Sequence, residues 1–138
     1  MNYQLCAPAP NAAVCDTATL TVTAVGSGLT LTKSVRNVTQ GGVAGTNNTA
    51  RPGDILEYII TYSSTASTTV SMVVVSDNTP TFTNFISAAC GTPLPAALSG
   101  CAVTTQPTVG ASGNTQWTLT GNLNPGQSGT VVLTVRVQ

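Results

Sequence analysis

Few residues in this chain could do chemistry. It has 138 residues and no histidine, which is the usual general base and a common metal ligand near neutral pH. The acidic side chains are Asp16, Asp54, Glu57 and Asp77. Calcium needs several oxygen ligands close together, whereas Asp54 follows Pro52-Gly53, a sequence typical of a turn. The sequence therefore predicts neither an enzyme nor a metal or cofactor site.

The four cysteines predict disulfides. They are Cys6, Cys15, Cys90 and Cys101, and four cysteines can pair in three ways. The two short spacings favour Cys6–Cys15 and Cys90–Cys101. A zinc site would need close CxxC pairs or histidines, and the sequence has neither. Disulfides persist in oxidising compartments, so we expect an extracellular or cell-surface protein.

The composition excludes several classes of protein. Charged residues make up 6% of the chain and the net charge is zero, while 41% of the residues are hydrophobic. This is too apolar for a disordered chain, and the absence of a basic cluster predicts no nucleic-acid partner. No apolar run approaches the ~18 residues of a membrane span. The N-terminus, MNYQLCAPAPNAAVC, lacks the pattern of a signal peptide, so an exported protein would be a processed form or a segment of a longer chain.

Apolar and polar residues alternate with a period of two along most of the chain, which predicts strands rather than helices. Short strands separated by Gly-, Pro- and Asn-rich turns are typical of an all-β, Ig-like β-sandwich. The alternating segments are Ala18–Ala24, Leu29–Val35, Leu56–Tyr62, Val70–Val75, Gln116–Thr120 and Val131–Val137.

Four motifs give the chain a family resemblance. LTLTKSV, PGDILEYIITY, VVVSDNTP and WTLTGNLNPG occur in that order before an alternating final strand. From about Leu29 to Val137 the chain resembles the bacterial and archaeal surface-repeat domain known as the eleventh domain of unknown function. That family usually has Asn-x-Gly after the tyrosine strand, where this chain has Ser64-Thr65-Ala66, so a different turn is expected there. The resemblance implies an Ig-like sandwich of repetitive envelope proteins, with no catalytic activity and no agreed ligand.

Residues 1–27 are predicted to be an N-terminal extension of the sandwich domain, which spans residues 28–138. YQLC followed by CDTATLTVTAV resembles the last two strands of a different Ig-like repeat. The domain already has a closing strand in Val131–Val137, so we expect the extension to be an extra strand or hairpin without a partner in its own chain.

Two functions are compatible with an unpartnered strand. In the first, Ala18, Leu20, Val22 and Ala24 form a donor strand that docks into a neighbouring copy. Head-to-tail docking does not close on itself, so the protein would be a structural subunit of an extracellular filament or cell-surface assembly, with itself as partner. In the second, the extension belongs to a tandem array of repeats, and the chain is an adhesin-type binding module with the 90–101 loop as its contact surface.

Three further side chains carry expectations. Lys33 lies in phase with Leu31 and Val35, which predicts a lysine at a sheet edge whose ammonium reaches water. A Lys–Asn cross-link assisted by a carboxylate is the alternative, but the final strand has no inward Asn or Asp. The sequons at Asn37 and Asn47 are glycan acceptors if the protein is exported. Trp117 is expected in the core.

Overall fold

The computed structural model describes residues 2–9, 12–25 and 28–138, with side chains for 20–24 and 28–138. These residues form ten strands and no helix. The strands are β1 (Asn2–Ala9), β2 (Ala12–Thr19), β3 (Thr21–Val25), β4 (Leu29–Asn37), β5 (Ile55–Ser64), β6 (Val70–Asn78), β7 (Thr83–Cys90), β8 (Leu98–Thr105), β9 (Asn114–Leu123) and β10 (Ser128–Val137).

Eight of the strands form a sandwich of two antiparallel four-stranded sheets. The first sheet has the order β4-β5-β10-β7 and the second the order β3-β6-β9-β8, while β1 and β2 form a separate hairpin. The predicted all-β, Ig-like sandwich is therefore confirmed. Within the hairpin every residue of β1 has a partner in β2, from Asn2 opposite Thr19 to Ala9 opposite Ala12.

The core lies between the two sheets and follows the alternation of the sequence. Along β5, buried and half-buried residues alternate without interruption, and β10 places Val131, Leu133 and Val135 inside with no exposed surface. Trp117 of β9 is also fully buried, as predicted, and its Nε1 donates to the carbonyl of Ala89 at 3.1 Å. Each such side chain contributes about 1.5–3 kcal/mol on burial.

The N-terminal extension has a partner in its own chain, so the expectation that it lacks one is wrong. Strand β3 pairs with β6, from Thr21 opposite Ser76 to Val25 opposite Ser71. Leu20 is 1% exposed and joins the core, and Val22 and Ala24 pack against it. The closing strand identified from the sequence, β10, lies in the other sheet. Without β3, the edge of β6 would be unpaired, and such an edge readily accepts a strand.

The hairpin β1–β2 lies outside both four-stranded sheets. Residues 20–25 of the predicted 1–27 extension thus form part of the sandwich, and residues 2–19 form the separate hairpin. Ala18, predicted as a donor-strand residue, lies in β2 opposite Tyr3, and its side chain is outside the described residues. Residues 26–28 connect β3 in one sheet to β4 in the other.

Leu20→Ala should destabilise the chain by about 2–5 kcal/mol, because it removes a buried side chain and leaves a cavity. The free energy of unfolding measured by urea denaturation tests this. The matched control is Thr23→Ala on the exposed side of β3, the strand that Leu20 directly precedes, and it should change stability by less than about 1 kcal/mol. Equal, small effects of both substitutions would contradict the docking of β3 in its own sandwich.

Candidate functional site

A buried ion pair joins the two sheets. Lys33 lies on β4 between the buried Leu31 and Val35, and Asp77 lies on β6 in phase with Val73 and Val75. The Nζ of Lys33 is 2.5 Å from Oδ2 of Asp77, and neither side chain has any accessible surface. Buried charges are costly unless they are paired and hydrogen-bonded, so each residue accounts for the burial of the other.

The expectation that the Lys33 ammonium reaches water is wrong. Strand β4 is indeed an edge strand, but Lys33 is only 3% exposed. Its Nζ also lies 4.7 Å from the centroid of the Tyr58 ring, where a cation is attracted by the ring electrons. Asp77 is held in turn by its Oδ1, which accepts the backbone N–H of Asn78 at 2.9 Å. The Tyr58 ring and the Asn78 N–H therefore help to fix the positions of the Lys33 ammonium and the Asp77 carboxylate.

The carboxylate of Asp54 organises the turn that precedes β5. Its Oδ2 accepts hydrogen bonds from Nδ2 of Asn37 at 2.8 Å, Nε2 of Gln40 at 2.7 Å and the backbone N–H of Arg51 at 3.0 Å. The bond from Asn37, followed by that from Arg51, lowers the pKa of Asp54 below its ordinary value of 3.8, because these donors stabilise the ionised form. This agrees with the turn role predicted from the sequence.

The two sequons lie in different environments. Asn37 is 1% exposed, and its Nδ2 donates to the carbonyl of Thr49 and to Asp54. The folded chain therefore has no room for a glycan on Asn37, which corrects the sequence expectation at this position. Asn47 lies exposed in the loop between β4 and β5, so the expectation of a glycan there stays a prediction.

The predicted Cys90–Cys101 disulfide is present, with a Cα–Cα distance of 6.1 Å. It joins β7 to β8, which are the edge strands of opposite sheets, and so closes one side of the sandwich. Such a bond is typical of oxidising, non-cytoplasmic environments. Cys6 and Cys15 are backbone partners across the hairpin, although their side chains lie outside the described residues.

Among the side chains that the structure describes, the remaining charged groups form no further site. Among the residues whose side chains are described, no three histidine, cysteine or acidic residues lie together as a metal site would require. Glu57 accepts a hydrogen bond from Arg36 at 2.8 Å on the partly exposed outer side of the first sheet. In the part of the chain covered by the structure, no helix has the length and hydropathy of a membrane span.

The partner of Lys33 was missed by the sequence analysis. Lys33 and Asp77 are 44 residues apart in the sequence, so no local pattern connects them. A signal was nevertheless present, because Asp77 continues the inward phase of Val73 and Val75 along one strand. A carboxylate and an ammonium that both fall on inward positions have to neutralise each other.

Comparisons with known proteins assign no family. No protein-family model matches the chain, and no curated protein and no solved structure matches it. The resemblance to a surface-repeat domain therefore stays a prediction from the motifs.

Acid should destabilise the protein partly through Asp54. Because its pKa is lowered in the folded state, Asp54 stabilises the fold above pH ~3.8, and this contribution is lost as the pH falls through the lowered pKa. Urea midpoints between pH 6 and pH 2 should therefore fall less in Asp54→Asn than in the parent. Asn37→Ala should reduce the same acid dependence in the parent but not in Asp54→Asn. An unchanged acid dependence in Asp54→Asn would contradict this assignment.

Proposed function

We propose that the chain is a non-catalytic structural subunit of an extracellular or cell-surface assembly in which β3 of one copy completes the sandwich of another. The observation that carries the proposal is the position of β3. It fills the edge of β6, and Leu20, which directly precedes it, lies in the core, yet its covalent link to β4 is only the segment 26–28. A second copy offers the same edge and the same contacts, which is the basis of strand exchange.

Three other features suit a protein that works outside the cell without doing chemistry. The Cys90–Cys101 disulfide and the Lys33–Asp77 pair each connect the two sheets. The chain carries few charges, and the outer positions of its strands are rich in threonine and serine, which favours a neutral surface. The exposed sequon at Asn47 is compatible with an exported, glycosylated protein.

The short connection determines how two exchanging copies would meet. Four Cα steps separate Val25 from Leu29, about 14 Å at full extension. The sandwich that accepts β3 would therefore lie next to the end of the donor sandwich where β4 begins. Reciprocal exchange at this end closes a dimer, whereas one-way exchange continues as a polymer. The mass of the assembly distinguishes these two forms.

A second function is favoured by the direction of the strands. Both β4 and β10 run antiparallel to β5, so the chain enters the 28–138 domain at one end and leaves it at the other. This arrangement suits a module within a linear array of repeats, such as an adhesin. In that case β3 stays docked against β6 of its own sandwich, only the hairpin extends towards a neighbouring repeat, and the isolated module has no tendency to exchange strands.

A pair of cysteines, one on β3 and one at the opposite position of β6, tests whether β3 exchanges between copies. Thr23 and Val74 are direct partners, and side chains of directly opposed residues are close enough for a disulfide. In the variant carrying Thr23→Cys and Val74→Cys, a self-docked strand gives a disulfide within one chain, whereas an exchanged strand links two chains. We expect covalently linked dimers or ladders on a non-reducing gel after assembly at high protein concentration.

The single variant Thr23→Cys controls for random cross-linking through the introduced thiol. A chain lacking residues 1–19 retains β3 and should still exchange, so it separates the role of β3 from that of the hairpin. If the double-cysteine variant forms only intrachain disulfides and the parent remains a monomer by light scattering, the array module is the better interpretation. Electron micrographs of the purified parent then show whether any assembly is a filament.

A further inference from the structure

We propose that Lys33 and Asp77 condense into an intramolecular amide bond that covalently links β4 to β6. The two side chains come from opposite sheets, and their Nζ and Oδ2 atoms are 2.5 Å apart. The bond would be a self-modification of the folded chain, and it is independent of the strand exchange proposed above.

The geometry brings the reacting groups together without solvent between them. Both side chains have zero accessible surface, and the flanking inward residues of β4, Leu31 and Val35, are themselves buried. The face of Tyr58 lies over Nζ at 4.7 Å, and the N–H of Asn78 holds Oδ1 at 2.9 Å. Groups held in this way react as if they were at a very high concentration, because their translational and rotational freedom has already been lost in folding.

The reaction begins with a proton transfer within the pair. Removing the pair from water penalises both charges, whereas transfer of one proton from Nζ to Oδ2 gives an uncharged amine next to an uncharged carboxylic acid. The nitrogen lone pair then becomes available to attack Cγ of Asp77.

The reaction balances without a further reagent. The Nζ–Cγ bond forms and the Cγ–Oδ2 bond breaks, and Oδ2 leaves as water with two protons that both come from Nζ. The third proton remains on the amide nitrogen. Oδ1 becomes the amide oxygen and keeps the hydrogen bond from the Asn78 N–H. The linked pair carries no charge, so the solvation cost of the ion pair is removed.

The structure contains a matched comparison pair. Arg36 and Glu57 also form an ion pair between two strands, at 2.8 Å, but their side chains are 43% and 25% exposed. Water solvates that pair, and a guanidinium does not form an amide with a carboxylate under these conditions. Arg36 is also the next site of tryptic cleavage after Lys33 in the sequence, so it serves as an internal control.

Mass spectrometry of the parent protein, denatured and fully reduced, tests the proposal. We expect an intact mass lower than the sequence mass by one water molecule. Trypsin should cut after Arg36 but not after Lys33, since a lysine in amide linkage is not a substrate, and the digest should contain one branched peptide that includes both Lys33 and Asp77.

Lys33→Arg keeps the positive charge and the cleavage site but cannot condense, so it should show the full sequence mass and normal cleavage at position 33. The measurement on the parent needs no variant, so a failure of Lys33→Arg to fold would not affect the conclusion. A folded parent with the full sequence mass and complete cleavage after Lys33 would overturn the proposal. Strand exchange, tested by the cysteine pair on β3 and β6, would be unaffected.

Discussion

Two four-stranded sheets that bury their inner faces against each other set the constraint on which the other features depend. The inward residues of β5 and β10 share one buried core with those of β6 and β9, so each strand has to keep its alternation in phase with the opposite sheet. A shift of one residue would turn an entire inner face outward. The register that buries Tyr58, Ile60 and Leu133 is therefore the same register that fixes the positions of the polar residues inside.

Lys33 and Asp77 are inside because of this register. Their strands cannot turn them outward without exposing Leu31 or Val75, and neither can be buried alone. The interior therefore contains an ion pair to which each sheet contributes one residue, Lys33 from β4 and Asp77 from β6. A pair of this kind stabilises the fold only when both members are present. It is also the place in the described part of the chain where an amine and a carboxyl group are shielded together from water.

The edges of the sheets show a second consequence. On one side the Cys90–Cys101 disulfide joins β7 to β8. A covalent bond as well as packing therefore holds these two edge strands together. On the other side, the covalent connection between β3 and β4 is the segment 26–28. The same physical need, an edge of β6 that requires a partner, explains both the docking of β3 in its own chain and the proposal that another copy can supply it.

The sequence alone determined the all-β architecture, the Cys90–Cys101 bond, the burial of Trp117 and the turn at Asp54, because alternation, short cysteine spacing and turn residues are local signals. The tertiary structure decided which sheet each strand joins. It therefore decided that Lys33 pairs with Asp77, that Asn37 is buried and donates a hydrogen bond to Asp54, and that Leu20 packs in the core of its own sandwich. These contacts join residues far apart in the chain or depend on which edge is free. Local patterns predict which side of a strand is buried but not which strand lies next to it, because strand pairing depends on how all the strands together bury their apolar residues.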